Sequence, residues 1–123
     1  SSARFVDDEI LEQIDEMSRE KIDELPYGVM CLDDQGNVKV FNQHEADQSG
    51  VKKADAEGKH FFTQVAPCTN NTIYKGTFQR GVAKGKMDLL FPYTFTYKMK
   101  PTAVKIHLYK KPEGNNWIFI NWG

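Results

Sequence analysis

In the stretch "FPYTFTYKMKPTAVKIHLYKKPEGNNWIFINW" (Phe91–Trp122), rings and polar groups alternate. Phe91, Tyr93, Phe95, Tyr97 and Met99 fall on one side of a period of two, and Pro92, Thr94, Thr96, Lys98 and Lys100 on the other. That spacing predicts a strand with one aromatic and one polar face, ended by Pro101. "TAVKIHLYK" and "NWIFINW" predict two further strands, joined through the turn residues of "KPEGN".

Upstream of these strands, Tyr74, Phe78 and Val82 are spaced for one longer helix over Ile73–Lys84, with Gly76 and Gly81 working against it. The preceding "NQHEADQSGVKKADAEGKHFF" is polar and weakly periodic, which predicts short helical turns and loops held at their end by Phe61 and Phe62. Two apolar runs, Tyr27–Leu32 and Val38–Phe41, flank the turn-rich "DDQGN" and predict a hairpin. At the start, "DDEILEQIDEMSREKIDEL" reads as one helix. Asp7 or Asp8 is available as its N-cap, and Ile10, Leu11, Ile14 and Met17 form a narrow stripe. A stripe that narrow docks onto a core rather than making one. The order predicts an α+β domain whose antiparallel sheet carries helices on one side.

A chain of 123 residues holds one hydrophobic core, so a single domain over residues 1–123 is expected, with 1–25 as an N-terminal cap and 26–123 as the core. Lys and Arg number 16 against 17 Asp and Glu, leaving no basic field for nucleic acid. No apolar run is long enough to span a bilayer, and "SSARFVDDEI" lacks a signal-peptide core, which points to a cytoplasmic protein without a membrane partner. The 2 cysteines, Cys31 and Cys68, do not make a disulfide framework, and His44, His60 and His107 are too scattered for a zinc site.

Three features invite chemistry. Cys68 follows Pro67 in a polar segment just ahead of the expected helix. A free cysteine most often serves as small buried filler, but here Pro67 fixes its own φ while Ala66 and Thr69 keep the approach to the sulfur small. A helix start near Ile73 could favour a thiolate if the loop folds back on it. Cys31, inside a strand, reads as core. The rings of Tyr93, Phe95 and Tyr97, with Met99, would pack beneath helices by default, yet such a face could wall a pocket for a flat aromatic ligand. Glu45 and Ser49, in the polar stretch after the hairpin, are unremarkable alone.

Taken together, "GKHFFTQVAPCT", "YKGTFQRGVAKG", "FPYTFTYKMKPTAVKIHLYKK" and "FNQHEADQSG" resemble the photoactive yellow protein family over nearly the whole chain, most weakly in the N-terminal helices. The resemblance implies the PAS fold: a five-stranded antiparallel sheet, helices on one face and an N-terminal helical cap across the other. It implies a blue-light photoreceptor, not an enzyme, with p-coumaric acid (4-hydroxycinnamic acid) attached to Cys68 as a thioester. Glu45 would be protonated in the dark and hydrogen-bond the phenolate, with Ser49 as a further donor. Val65, Ala66, Pro67, Thr69, Phe61, Tyr93, Phe95, Tyr97, Met99 and Met30 fall at positions lining the pocket or assisting recovery. Trans–cis isomerisation, proton transfer from Glu45 and partial unfolding would give the signalling state, with the cap released first. A monomer acting on a separate downstream signalling protein is implied. Two positions depart from the family pattern. Phe41 stands where a tyrosine usually donates to the phenolate, and Val51 replaces the arginine at the pocket mouth, although Lys52 or Lys53 could reach over. Loss of the tyrosine predicts a raised phenol pKa and a red-shifted or mixed colour. Two other readings stay open: a PAS ligand- or partner-binding module without chromophore, and an enzyme or redox sensor using Cys68, for which His60 is the nearest base.

Overall fold

The computed structural model describes residues 4–96 and 99–123. Five strands, β1 (Gly28–Leu32), β2 (Val38–Phe41), β3 (Met87–Phe95), β4 (Thr102–Lys110) and β5 (Asn116–Asn121), form one antiparallel sheet in the order β2-β1-β5-β4-β3. The first hairpin forms as its turn residues predict, with the N–H of Gly36 bonded to the carbonyl of Asp33. β4 matches the predicted segment. β3 does not: it starts at Met87, directly after Gly85 ends the preceding helix in a left-handed conformation (φ 79°). β3 and β4 last pair at Phe95 and Thr102, so Met99 lies in the connection rather than on the strand. Tyr97 lies outside the described residues. Pro92 is tolerated because β3 is an edge strand.

Alternation along the central strands gives the sheet two buried faces. Met30, Leu32, Ile106, Leu108, Ile118 and Ile120 meet Phe61, Phe62, Tyr74 and Phe78 on one side. Val29, Cys31, Trp117 and Phe119 meet Val6, Leu11, Ile14 and Ile22 on the other. Strands buried on both faces lose the clean polar–apolar alternation of a half-exposed sheet. The first face carries α3 (Gln43–Ser49), α4 (Lys53–Ala56) and α5 (Thr77–Lys84), with wide helical turns at Phe61–Val65 and Thr72–Gly76. The latter turn runs directly into α5, so the helix predicted over Ile73–Lys84 is continuous but widened at its start.

The second face is covered by the N-terminal segment, which is not one helix. It breaks into α1 (Asp8–Gln13), a tight turn over Ile14–Glu16 and α2 (Arg19–Asp23). The break falls where Met17 is extended (ψ 137°) and the Ser18 hydroxyl caps α2 by accepting from the Lys21 N–H at 3.2 Å. Asp7 occupies the N-cap position of α1 without a side-chain capping bond. Asp15 fastens this cap to the sheet by accepting from the Trp117 indole (2.9 Å) and the Asn115 N–H (3.0 Å).

Asn42 joins both sides. It is fully buried, and its carbonyl oxygen accepts from Val29 N–H (2.9 Å) and Glu45 N–H (3.0 Å), capping α3. Its amide donates to the carbonyls of Ile22 (2.9 Å) and Tyr27 (3.1 Å). Replacement by alanine strands several buried backbone groups, each costing on the order of 1–3 kcal/mol. Asn42→Ala is expected to destabilise the chain by about 3 kcal/mol, read as a lower urea midpoint at unchanged slope.

Candidate functional site

The wide turn Phe61–Val65 is closed by Val65 N–H to His60 carbonyl (3.1 Å) and Ala66 N–H to Phe61 carbonyl (2.8 Å). A tight turn over Pro67–Thr69 follows, secured by the Thr69 hydroxyl donating to the Ala66 carbonyl at 2.6 Å. The carbonyl of Cys68 accepts from the Tyr93 hydroxyl (2.6 Å) and the Asn71 amide (3.2 Å). Asn71 also caps the next helical turn, accepting from the Tyr74 N–H at 2.9 Å. The Cys68 carbonyl is therefore held by two donors, while the side chain is half-buried and forms no disulfide. Cys31 is buried in β1, where burial pushes its thiol up to about 11, and it plays the core role expected of it.

Cys68 shares the lining of a cavity of about 310 Å³ with Glu45, on the first turn of α3. That volume sits at the small end of the ~300–1,000 Å³ range of small-molecule sites. Phe41, Ser49, Val51, Phe61, Val65, Ala66, Phe95 and Met99 also line it. Met30, Pro67, Thr69 and Tyr93 do not: Met30 is fully buried in the core as the cross-strand partner of Phe41, and the other three shape the cysteine turn. Lys52 and Lys53 are not among the lining residues, and Lys53 is committed to an ion pair with Asp23.

Four lining residues, Trp122, Gly50, Asp55 and Gln64, are not singled out by the sequence reading. Trp122 matters most. Its indole N–H donates to Glu45 Oε1 at 2.7 Å, and its ring packs on Phe95 with centroids 5.3 Å apart. The period of two from Ile118 through Ile120 places Trp122 on the helix-covered face, a signal that the sequence carries. Gly28 completes the arrangement, because a Cβ there would stand 2.0 Å from Glu45 Oε1.

Glu45 is 4% exposed, and burial pushes its carboxyl up to about 8, against which the Trp122 bond pulls down. At neutral pH the site holds a neutral acid. The Tyr74 hydroxyl is buried without a hydrogen-bond partner among the described residues, and burial raises its pKa further above the ordinary range. His60 offers no free base, since its ring nitrogens meet the Gln35 carbonyl (2.8 Å) and the Thr63 hydroxyl (3.0 Å). No group of three or more His, Cys, Asp or Glu among the described residues is arranged for a metal.

Known proteins resemble this chain over most of its length. The chain is 36% identical over 118 residues to photoactive yellow protein of Rhodothalassium salexigens, covering 95% of this chain and 94% of that one. It is 38% identical over 117 residues to photoactive yellow protein of Halochromatium salexigens, covering 94% of each. The chain belongs to the photoactive yellow protein family. The photoactive yellow protein domain of a sensor histidine kinase from Rhodospirillum centenum superposes with TM-score 0.83 at 34% identity, covering 91% of this chain and 99% of that domain. No family model matches the sequence. As a family member the chain has the PAS fold and is a sensory module, and among its described residues no helix is long and apolar enough to cross a membrane.

The raised pKa of Glu45 has a stability consequence. Between about 4.5 and about 8 the folded chain holds a proton that the unfolded chain has lost. Stability from this group is therefore fully present below 4.5 and falls as pH rises through 8, by up to about 5 kcal/mol. His107, held below its usual pKa by burial, works in the opposite direction, its share being lost as pH falls. Glu45→Gln is expected to remove the alkaline decline alone, so the difference between parent and variant urea midpoints should grow from pH 5 to pH 9.

Proposed function

We propose that the chain is a blue-light photoreceptor carrying a p-coumaroyl group as a thioester on Cys68. The single observation supporting this most is a nucleophilic thiol and a buried neutral acid sharing one small, aromatic-walled cavity. The residues fit such a group. Cys68 Sγ offers the attachment atom, Phe41, Phe95 and Met99 exclude water from a planar ring, and Glu45 supplies an O–H donor. When bound, the group supplies visible absorption and a light-driven trans–cis isomerisation.

The chain's own residues do the rest. In the dark, Glu45 would keep its proton and offer it as a charge-assisted hydrogen-bond donor to the phenolate oxygen of the bound group. After illumination Glu45 would give that proton to the phenolate oxygen of the bound group and be left as a buried carboxylate, which costs several kcal/mol. A domain of this kind has roughly 5–15 kcal/mol to spend. The first turn of α3 holds both Glu45 and Asn42, and Asn42 grips the Ile22 and Tyr27 carbonyls at the edge of the cap. Strain at Glu45 is thereby aimed at the N-terminal cap, whose release is the signal to a downstream protein. Two features set the dark state. Phe41 has no hydroxyl to offer, and Val51 leaves its part of the lining uncharged.

Adding activated p-coumaric acid is expected to give a mass gain of one coumaroyl group, a visible band and bleaching under blue light. Cys68→Ala should show none of these. A parent that takes up no group would favour a PAS ligand-binding module, and thiol oxidation by peroxide without acylation would favour a redox sensor. Phe41→Tyr, restoring a donor, should lower the titration midpoint of the visible band by about one unit and leave one spectral form.

A further inference from the structure

Trp122 takes no part in the photoreceptor steps set out above, yet it makes the hydrogen bond on which the acid's geometry turns. Indole N–H can donate and cannot accept, so the oxygen it meets must act as an acceptor whether Glu45 is protonated or not. That oxygen, Oε1, is confined between the Trp122 nitrogen and the bare α-carbon of Gly28. The Trp122 ring is itself fixed against Phe95, which is 4% exposed. The other titratable groups near the carboxyl are Asp55 and Cys68 along the cavity and Tyr74 in the core, and none of them hydrogen-bonds it.

We propose that Trp122 is the positioning residue of Glu45: it holds Oε1 as an acceptor, leaves Oε2 to carry the proton, and stays bonded to the carboxylate once that proton has gone. The inference adds to the photoreceptor reading a device that lowers the cost of proton release in a chain whose Phe41 cannot help. A donor-only partner favours the anion over the acid. Removing it should therefore make Glu45 hold its proton more tightly and make the light-driven state shorter-lived.

The test begins on the chain without any chromophore, so it is independent of the thioester reading. The infrared carbonyl band of protonated Glu45, assigned by its loss in Glu45→Gln, is followed against pH. Trp122→Phe keeps a ring against Phe95 and removes the donor. It should shift the band to higher frequency and raise its titration midpoint by at least one unit, a tenfold gain in proton affinity. Trp122→His, with an N–H at similar reach, should recover part of the shift. In the unsubstituted protein, the Trp122 indole ¹H–¹⁵N resonance should titrate with the Glu45 midpoint and lose that inflection in Glu45→Gln. This measurement stands even where a variant folds poorly. In chromophore-loaded protein, Trp122→Phe should shorten the bleached state at least tenfold. An indole resonance that ignores the Glu45 midpoint overturns the proposal, as does an unmoved carbonyl band in a folded Trp122→Phe. Failure of chromophore uptake alone would overturn the photoreceptor reading and leave this one standing.

Discussion

Taking a carboxyl group out of water is costly, and a folded chain normally avoids it or supplies a cation. Among the described residues no lysine or arginine is paired with Glu45, whose side-chain bond comes from an indole. The group is accommodated because three neighbours make room and bonds for it. Gly28 gives up a side chain, Asn42 caps the helix turn that presents the acid, and Trp122 donates to one of its oxygens. Cys68 could be displaced slightly and still be acylated. A misplaced Glu45 would be either solvated or unpaired, and the site would lose its proton store.

The same constraint explains which parts of the molecule carry polar networks. Around Asn42, buried donors and acceptors are matched between α2, β1 and α3, so the acid rests on a framework that is itself fully bonded. The thiol side of the cavity is built differently. There the backbone is bent through wide and tight turns, and one phenol and one amide bind the Cys68 carbonyl. Tyr93 thus acts through the main chain rather than as a wall. By contrast, the groove of about 660 Å³ beside α5, lined by Arg80, Lys84 and Lys86, offers surface charge without a buried reactive group.

Much of this was legible in the order of residues. Period-two alternation located much of β3, short apolar runs joined by turn residues located β4 and β5, and turn residues located the first hairpin, because all these signals are local. The thiol drew notice by its place after Pro67, but the acid was found only through family resemblance, since an isolated glutamate in a polar stretch looks solvent-facing. What was not legible depends on contacts distant in sequence. The pairing of Phe95 with Thr102 decides that β3 stops before Met99. The capping bond of Ser18 breaks a segment whose apolar stripe reads as one helix. Trp122 lies 77 positions from Glu45, and only closure of the sheet brings them together.

The chain's 2 tryptophans, at 117 and 122, are both held on or just after the central strand β5 and face opposite sides of the sheet. Each donates its N–H to an acid, Trp117 to Asp15 in the cap and Trp122 to Glu45 in the cavity. Fluorescence excited beyond the tyrosine band therefore samples two places: one indole reports whether the cap is seated, the other what its ring has beside it. With one tryptophan replaced at a time, the delay between the two emission changes would time how long a disturbance takes to cross the sheet.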